Sequence, residues 1–482
     1  MLSYWKAVIH SASFAMQTVI QPRRMALQAQ STLATCLCIF LLALVPRLAL
    51  LWLTRSYLDP NPSEVVSIAK SLATDGQFAN VFGPHSGPTA HTSPLYPLLL
   101  SGIFRVFGTD EAGQIAQETS NCMMASLLWC LMPIVSKVCR TDRQVGVLAG
   151  VGGAVLPINR VAETKGAFET TLIGLSLVVL FAVHIRYWRN RDFSVRSTLI
   201  LGAVGGLAAL VSPLLAVLMV GLLLVGLAFV PYESRRHQLC FALSVVLTMM
   251  AVMFPWALRN YFELGAFVWT RSNLGIELNV SNNDLAVPNA VDNGGAMAMY
   301  HPHANQAQLE EVSRLGEVNY NRQKRDQALH WIDSHPRGFL RLTVLRIFYT
   351  WFPKTTRPLQ TLAFAGLTLV AVPGLLVLGR HDRFVAFSFV SVLLLYPSIY
   401  YIIQTSTRYV YPIEWILYYL GAYWLWYGTP EKIRLVLTLA LGSRIANEHA
   451  SKDIEVPALS VLCTLKLVRR GRLTLTRLAD QV

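Results

Sequence analysis

The sequence predicts an all-α polytopic membrane protein, and three observations carry that reading. Hydrophobic residues make up 54% of the chain and charged residues only 14%, where soluble domains carry roughly 25% charged residues. Mean hydropathy is +0.44. Apolar runs of the ~20 residues that a helix needs to cross a hydrocarbon core recur along the chain, whereas the roughly ten-residue alternating segments of a transmembrane barrel do not appear.

The elements follow in order. Apolar runs predict spans near 33–53, 117–136, 145–161, 170–184, 239–258, 359–378, 384–403 and 409–426. The run 197–230 is long for one span and tight for two, and Ser212-Pro213 interrupts it. Lys6, Arg23 and Arg24 precede the first run with no clear small-residue cleavage site, so that run reads as an uncleaved first span.

The net charge is +14. In a chain this apolar, a basic excess reports topology rather than a nucleic-acid partner. Lys137, Arg140 and Arg143 mark one inner loop, and Arg186, Arg189, Arg191 and Arg196 a second. Arg235 and Arg236 mark a third, Arg380 and Arg383 a fourth. The clusters flanking 197–230 ask for the same side, so that run predicts two short spans with a tight outer turn at Ser212-Pro213. The same parity makes 94–108 an interfacial amphipathic helix and puts 338–352 on the outer surface. The expected organisation is a cytoplasmic segment 1–32 and a transmembrane unit 33–427 of about ten spans. Its long outer loops are 54–112 and 259–358. A basic, amphipathic cytoplasmic tail 428–482 follows, carrying Lys466, Arg469, Arg470 and Arg472 among its apolar positions.

Residues able to carry chemistry gather in the two outer loops. In PSEVVSIAKSLATDG, Val65, Ile68, Ala69 and Leu72 recur at helical spacing, with Glu64 in the first turn. A carboxylate facing a partly dry cleft can take the proton from an attacking hydroxyl or amine. The competing reading is a capping box with Asn61 as cap and Pro62 at the first helical position. Glu163 and Glu169 lie at another outer turn, Glu169 directly before an apolar run. Arg47, Arg259 and Arg408 stand where spans meet the outer surface, where a guanidinium fork suits phosphate oxygens or simply anchors at headgroups. His85 and His91 flank SGPTA, and His301 and His303 form a second pair. Neither has the partners at defined spacing that a metal site shows, and the seven cysteines contain no CxxC pair. No metal site is therefore expected. There is no P-loop, no GxGxxG after a strand and no GxSxG.

Five stretches in order resemble one family. After a span ending in Arg comes E-x3-IAxSLA-x2-GxF with GPTAHTSPLYPLLLSGIFRVFG. Then come GAFETTLIGLSLVVL, FPWALRNYFELGAFVWTRSNLGIELNVSNN, the HPHANQAQLEEVSRLGEVNYNRQ loop, and TRYVYPIEWILYYL. Together they resemble the GT-C glycosyltransferases of the family 39-like branch, near the dolichyl-phosphate-mannose–protein mannosyltransferases and the lipid A aminoarabinose transferase. The likeness covers roughly 33 to 426.

The resemblance implies a GT-C_A-type fold, a polyprenyl-phosphate-linked sugar donor, and inversion at the anomeric carbon on the outer face of a bacterial inner membrane. The acceptor, whether protein, lipid or glycan, is left open, and no nucleic acid is expected. The family's base is usually the Asp of an Asp-Glu pair, and this chain has Ser63-Glu64 there. The base is then Glu64, or Asp59 reaching in, or activity is lost. Glu169 corresponds to a second acid. Arg259 and Arg408, with Arg47 and Arg271 behind them, are the candidates to hold the lipid phosphate. The loop 83–97, with His85, His91 and Tyr96, would line the acceptor's way in. A base and an electrostatically held leaving group suffice for this displacement, so no cofactor is required in principle and a divalent ion is left open. A transporter or flippase of a lipid-linked sugar and a catalytically inactive envelope-assembly subunit are the alternatives.

Overall fold

The computed structural model describes residues 32–428, apart from 60–62, 85, 157, 232–233 and 354–357. The expected N-terminal segment before Thr32 and the basic tail beyond Gly428 lie outside it. Among the described residues there is no strand, only isolated bridges between Ala79 and Pro88 and between Asn289 and Thr405.

The first apolar run forms α1 (Thr32–Thr54). The first outer loop then supplies α2 (Glu64–Thr74) and α3 (Leu95–Phe107). These pair through Val65, Val66, Ala69, Tyr96, Leu100 and Phe104. The far side of α3 leaves Val106 and Phe107 exposed, the two-faced character expected of 94–108. Next, α4 (Glu111–Cys130) and α5 (Met132–Cys139) make one rod with a break at Leu131, just before Pro133. It starts at Glu111 rather than near 117. Gln114, Gln117, Glu118 and Asn121 occupy its first turns, polar in sequence yet buried and bonded, as in Asn121 Nδ2 to the Ala162 carbonyl at 2.8 Å.

The span expected at 145–161 is shorter: α6 (Arg143–Val155) stops where Leu156, the residue before Pro157, leaves helical geometry at φ −112°, ψ 66°. A single turn, α7 (Arg160–Thr164), follows, then α8 (Thr170–Asn190). The break at Ser212-Pro213 is present. Ser212 is extended between α9 (Val195–Val211) and α10 (Pro213–Phe229), with Pro213 at a first-turn position where its missing N–H costs nothing. The long helix α11 (Arg235–Leu264) runs past the expected 258 until Gly265 turns left-handed at φ +69°.

The second outer loop folds into α12 (Leu274–Ser281), α13 (Gly294–Tyr300), α14 (Gln306–Leu315), α15 (Glu317–Ser334) and α16 (Pro336–Trp351). The chain then returns through α17 (Pro358–His381), α18 (Arg383–Leu395), α19 (Ser398–Ile402) and α20 (Thr407–Tyr427). The span expected at 384–403 is interrupted at Pro397, between α18 and α19.

Six stretches among the described residues are long and apolar enough to cross a membrane: α1, α4–α5, α8, α11, α17 and α18–α19. The apolar α9 and α10 are shorter. The chain is an integral membrane protein. Alternating helix directions give the bundle two ends. At one, the start of α8, the α9–α10 turn and the start of α20 meet α2 and α12 around a cavity. At the other, Arg189 at the end of α8 pairs with Asp382 before α18, and the Asp142 N–H donates to the Tyr427 hydroxyl at 3.2 Å.

Candidate active site

The cavity measures about 400 Å³. Glu64, Glu169, Glu277, Arg271 and Arg408 line it together with an apolar wall that includes Ile173, Leu214, Val217 and Ile399.

Glu64 reaches it because of Ser63. Ser63 caps α2: its hydroxyl accepts the Val66 N–H at 3.3 Å and donates to the Ala167 carbonyl at 2.5 Å. Glu64 is therefore the first residue of α2, at the positive end of the helix dipole, and is free of capping duty. Asn61 and Pro62, the expected capping pair, lie outside the described residues. Around the Glu64 carboxylate, His301 Nε2 stands at 3.5 Å and His91 Nε2 at 4.0 Å. Burial opposes the carboxylate's charge. The imidazoles of His91, His301 and His303 and the Arg408 guanidinium outweigh it and hold the group below the usual carboxylate range. Glu64 is thus ionised at neutral pH. Burial pushes the His91 imidazole down to about 3, against the pull of Glu64.

His301 Nδ1 accepts the His303 N–H at 3.2 Å. That bond leaves the proton of a neutral ring on Nε2, directed at Glu64. Neither histidine pair stays local in its contacts. His91 and His301 come together across the two outer loops, 210 positions apart in sequence (301 − 91), while His85 lies outside the described residues. Glu64, His91 and His301 hold ligand atoms within 4.8 Å of one another, a set able to take a divalent cation. Ligation through His301 Nε2 would require the other tautomer and loss of the His303 bond.

Glu169 precedes α8 and accepts from Arg271 Nη1 at 3.2 Å, while Arg271 Nε donates to Asn273 Oδ1 at 2.8 Å. The turn that presents Glu169 is tied down on several sides: by Ser63 at Ala167, by Tyr96 OH at Gly166 O (2.5 Å) and by Gln117 Nε2 at the same carbonyl (3.0 Å). The Arg408 guanidinium lies 3.8 Å from the Phe168 ring centre and donates to the Tyr409 hydroxyl at 2.8 Å. Tyr409 in turn stacks on Tyr400 at 4.4 Å.

Four other expected site residues sit elsewhere. Asp59 has a 91% exposed side chain paired with Lys165 at 3.2 Å, so it does not reach in. Tyr96 is buried as the tether just described and does not line the cavity. Arg259 lies outside the cavity lining: it spends Nη1 on the Thr89 carbonyl (2.7 Å) and Nη2 on the Phe78 carbonyl (2.9 Å), clamping the first outer loop. The helix simply continues past the membrane run and carries Arg259 into that loop. Arg47 is 2% exposed and pairs with Glu163 at 2.8 Å, a carboxylate that also accepts from Trp129 Nε1 at 3.0 Å. In that setting it locks helices together rather than meeting a headgroup.

Sequence reading missed Glu277, Tyr400, Tyr409 and the inward role of His301. Glu277 interrupts the apolar run LGIELNV, and that interruption is the one signal the sequence carried for it.

The architecture has a solved counterpart. The chain superposes on the apo oligosaccharyltransferase of Archaeoglobus fulgidus with a TM-score of 0.50 at 13% identity, covering 85% of this chain and 52% of that one. The fold is like that of this archaeal oligosaccharyltransferase. The oligosaccharyltransferase AglB from the same organism, in complex with an inhibitory peptide and a dolichol-phosphate, gives 0.49 at 13% identity over 92% and 55%. No family model and no curated protein matches the sequence. The chain spans about half the length of the oligosaccharyltransferase chains it matches. In this chain, the cavity lies where α2 and α12 meet the ends of α8, α10 and α20.

Proposed function

We propose that this protein is an inverting glycosyltransferase that moves a sugar from a polyprenyl-phosphate-linked donor to an acceptor at the outer face of a bacterial inner membrane. One observation carries the reading. Three glutamates and two arginines share a cavity with an apolar face, Ile173, Leu214, Val217 and Ile399, that comes from helix ends. A prenyl-phosphate sugar needs all of these: an apolar wall for the chain, cations for the phosphate and a carboxylate for the acceptor proton.

In the proposed step, Glu64 accepts the proton of an acceptor hydroxyl or amine as that atom bonds to the anomeric carbon. The bond from that carbon to the phosphate oxygen breaks on the opposite face, and the phosphate leaves with the electron pair. Arg408, held flat against Phe168, and Arg271, held by Glu169 and Asn273, stabilise the charge that builds on the leaving phosphate. His301 donates toward Glu64 and fixes its orientation. No metal is required in principle, and an ion on Glu64 would take the lone pair the base uses.

A specific observation favours a second reading, an inactive assembly subunit: Ser63, at the position where the resembled family carries its aspartate, is fully occupied as cap and tie. Turnover separates the two. Purified protein given labelled polyprenyl-phosphate sugars should release polyprenyl phosphate and label an acceptor, and envelope glycans should change in mass when the protein is deleted. No release with any donor and unchanged glycans would leave the subunit reading. For the proposed face, Ser86→Cys should react with an impermeant maleimide from outside and Thr141→Cys should not. The reverse pattern sinks the placement.

A further inference from the structure

The opposite end of the bundle holds a second cavity, of about 540 Å³. Lys137, Arg140, Arg186 and Arg189 line it, and no carboxylate does. They come from the end of α5 and the end of α8, with α1 closing the third side. A topological bias needs only basic residues somewhere in the loop. Here, four cations converge on one concave space.

Their own bonding leaves them available. Lys137 and Arg186 make no side-chain hydrogen bond or ion pair among the described residues. Arg140 gives one N–H to Asn190 Oδ1 at 3.3 Å. Arg189 pairs with Asp382 through Nη2, and its buried Nε has no partner. The other nearby acids are spoken for: Asp142 accepts from Trp426 Nε1 at 2.6 Å, and Asp192 accepts from Ser194 and Ser197.

The rest of the rim is apolar. Leu33 is 71% exposed and Ile134 37% exposed, and both stand on helices that cross the membrane. We propose that this cavity binds the phosphate headgroup of an anionic glycerophospholipid, with the cations on the phosphate and the acyl chains descending along Leu33 and Ile134. Convergent cations suit a phosphodiester. The apolar rim distinguishes a lipid from free phosphate, which gains nothing from Leu33 or Ile134. The site is separate from the catalytic cavity and does not depend on the activity proposed above.

The test uses the full-length protein, delipidated in neutral detergent, with dioleoyl-phosphatidylglycerol and dioleoyl-phosphatidylcholine as probes read by native mass spectrometry. Wild type should retain phosphatidylglycerol in preference to phosphatidylcholine, and millimolar inorganic phosphate should not displace it. K137Q/R186Q removes the two cations that make no side-chain hydrogen bond or ion pair among the described residues and should weaken phosphatidylglycerol binding about tenfold or more. R380Q/R383Q removes the same charge at the same end but outside this cavity and should change it less than about twofold. Equal losses in the two double variants, equal retention of the two lipids, or displacement by inorganic phosphate would each overturn the proposal. The wild-type arms decide it even if a double variant fails to fold.

Discussion

The two ends of the bundle handle charge in opposite ways. One cavity mixes three glutamates with two arginines, Glu169 already paired with Arg271, and the other gathers four cations with no acid on its wall. The difference matches what each can do. A reaction moves charge, a proton toward a base and negative charge toward a leaving group, so its site must hold both signs in fixed geometry. A resident anion moves no charge, and a single-sign wall suits it. Net charge alone, +14 over the whole chain, could not have separated the two.

The comparison can be broken most directly at Glu64. Glu64→Gln keeps the shape of the side chain but cannot take the proton, and should lower transfer about 10²–10⁴-fold with thermal stability unchanged. The exposed Asp59→Asn should leave the rate within about twofold (roughly 0.4 kcal/mol on the scale where tenfold is 1.4). A near-normal rate in Glu64→Gln would remove the base from this cavity altogether. Breaking the buried Arg47–Glu163 lock should act on stability instead. Arg47→Met strands Glu163 as a buried, unpaired carboxylate and should cost about 3–5 kcal/mol. Arg47→Met combined with Glu163→Gln should recover much of it in chemical unfolding. Recovery of stability without recovery of transfer would mean that Arg47 serves the donor after all.

Arg408 and Arg259 sharpen the boundary of the cavity. Arg408→Ala should slow transfer and weaken donor binding, with Arg408→Lys recovering only part because it lacks the planar fork. Arg259→Ala should instead destabilise the first outer loop by about 1.5–3 kcal/mol and leave donor affinity per folded molecule unchanged. An Arg259→Ala protein that melts normally but binds donor poorly would redraw the site. The smallest effect is expected from chelation. Dialysis against EDTA should leave transfer by wild type intact, and a loss restored by one divalent ion would make Glu64, His91 and His301 its ligands.

Hydropathy and charge parity were enough to find α1, α8 and α17 and the break at Ser212, because each follows from local composition or one proline. They failed where polarity is satisfied inside the bundle. The expected span began near 117, so the first turn and a half of α4, from Glu111 and including the buried Gln114 bonded to Glu118, lay outside it. The same limit governs the site. Glu64 and Glu169 were legible because each begins a helix that sequence periodicity reveals. The meeting of His91 with His301 was not, because no local pattern reports a contact across two loops. Arg259 and Arg47 misled for a related reason. A guanidinium at a span end looks the same in sequence whether it faces a phosphate, a carbonyl or a buried glutamate.

The carboxylate of Glu317 gathers three segments that the ribosome delivers far apart. It accepts from the Thr89 hydroxyl, from the Ala90 N–H at 2.9 Å and from the Ser272 hydroxyl at 2.5 Å, while Arg259 grips the same loop at Thr89. Burial raises the Glu317 carboxyl above its usual range, against the pull of those hydrogen bonds. Thr89 is made early, but its partner follows 228 residues later. A nascent chain therefore carries the loop that bears His91 without this clasp until α15, which begins at Glu317, has been made. The clasp thus ties the mouth of the cavity to completion of the second long loop, and a chain halted before residue 317 lacks the carboxylate that holds Thr89, Ala90 and Ser272 together.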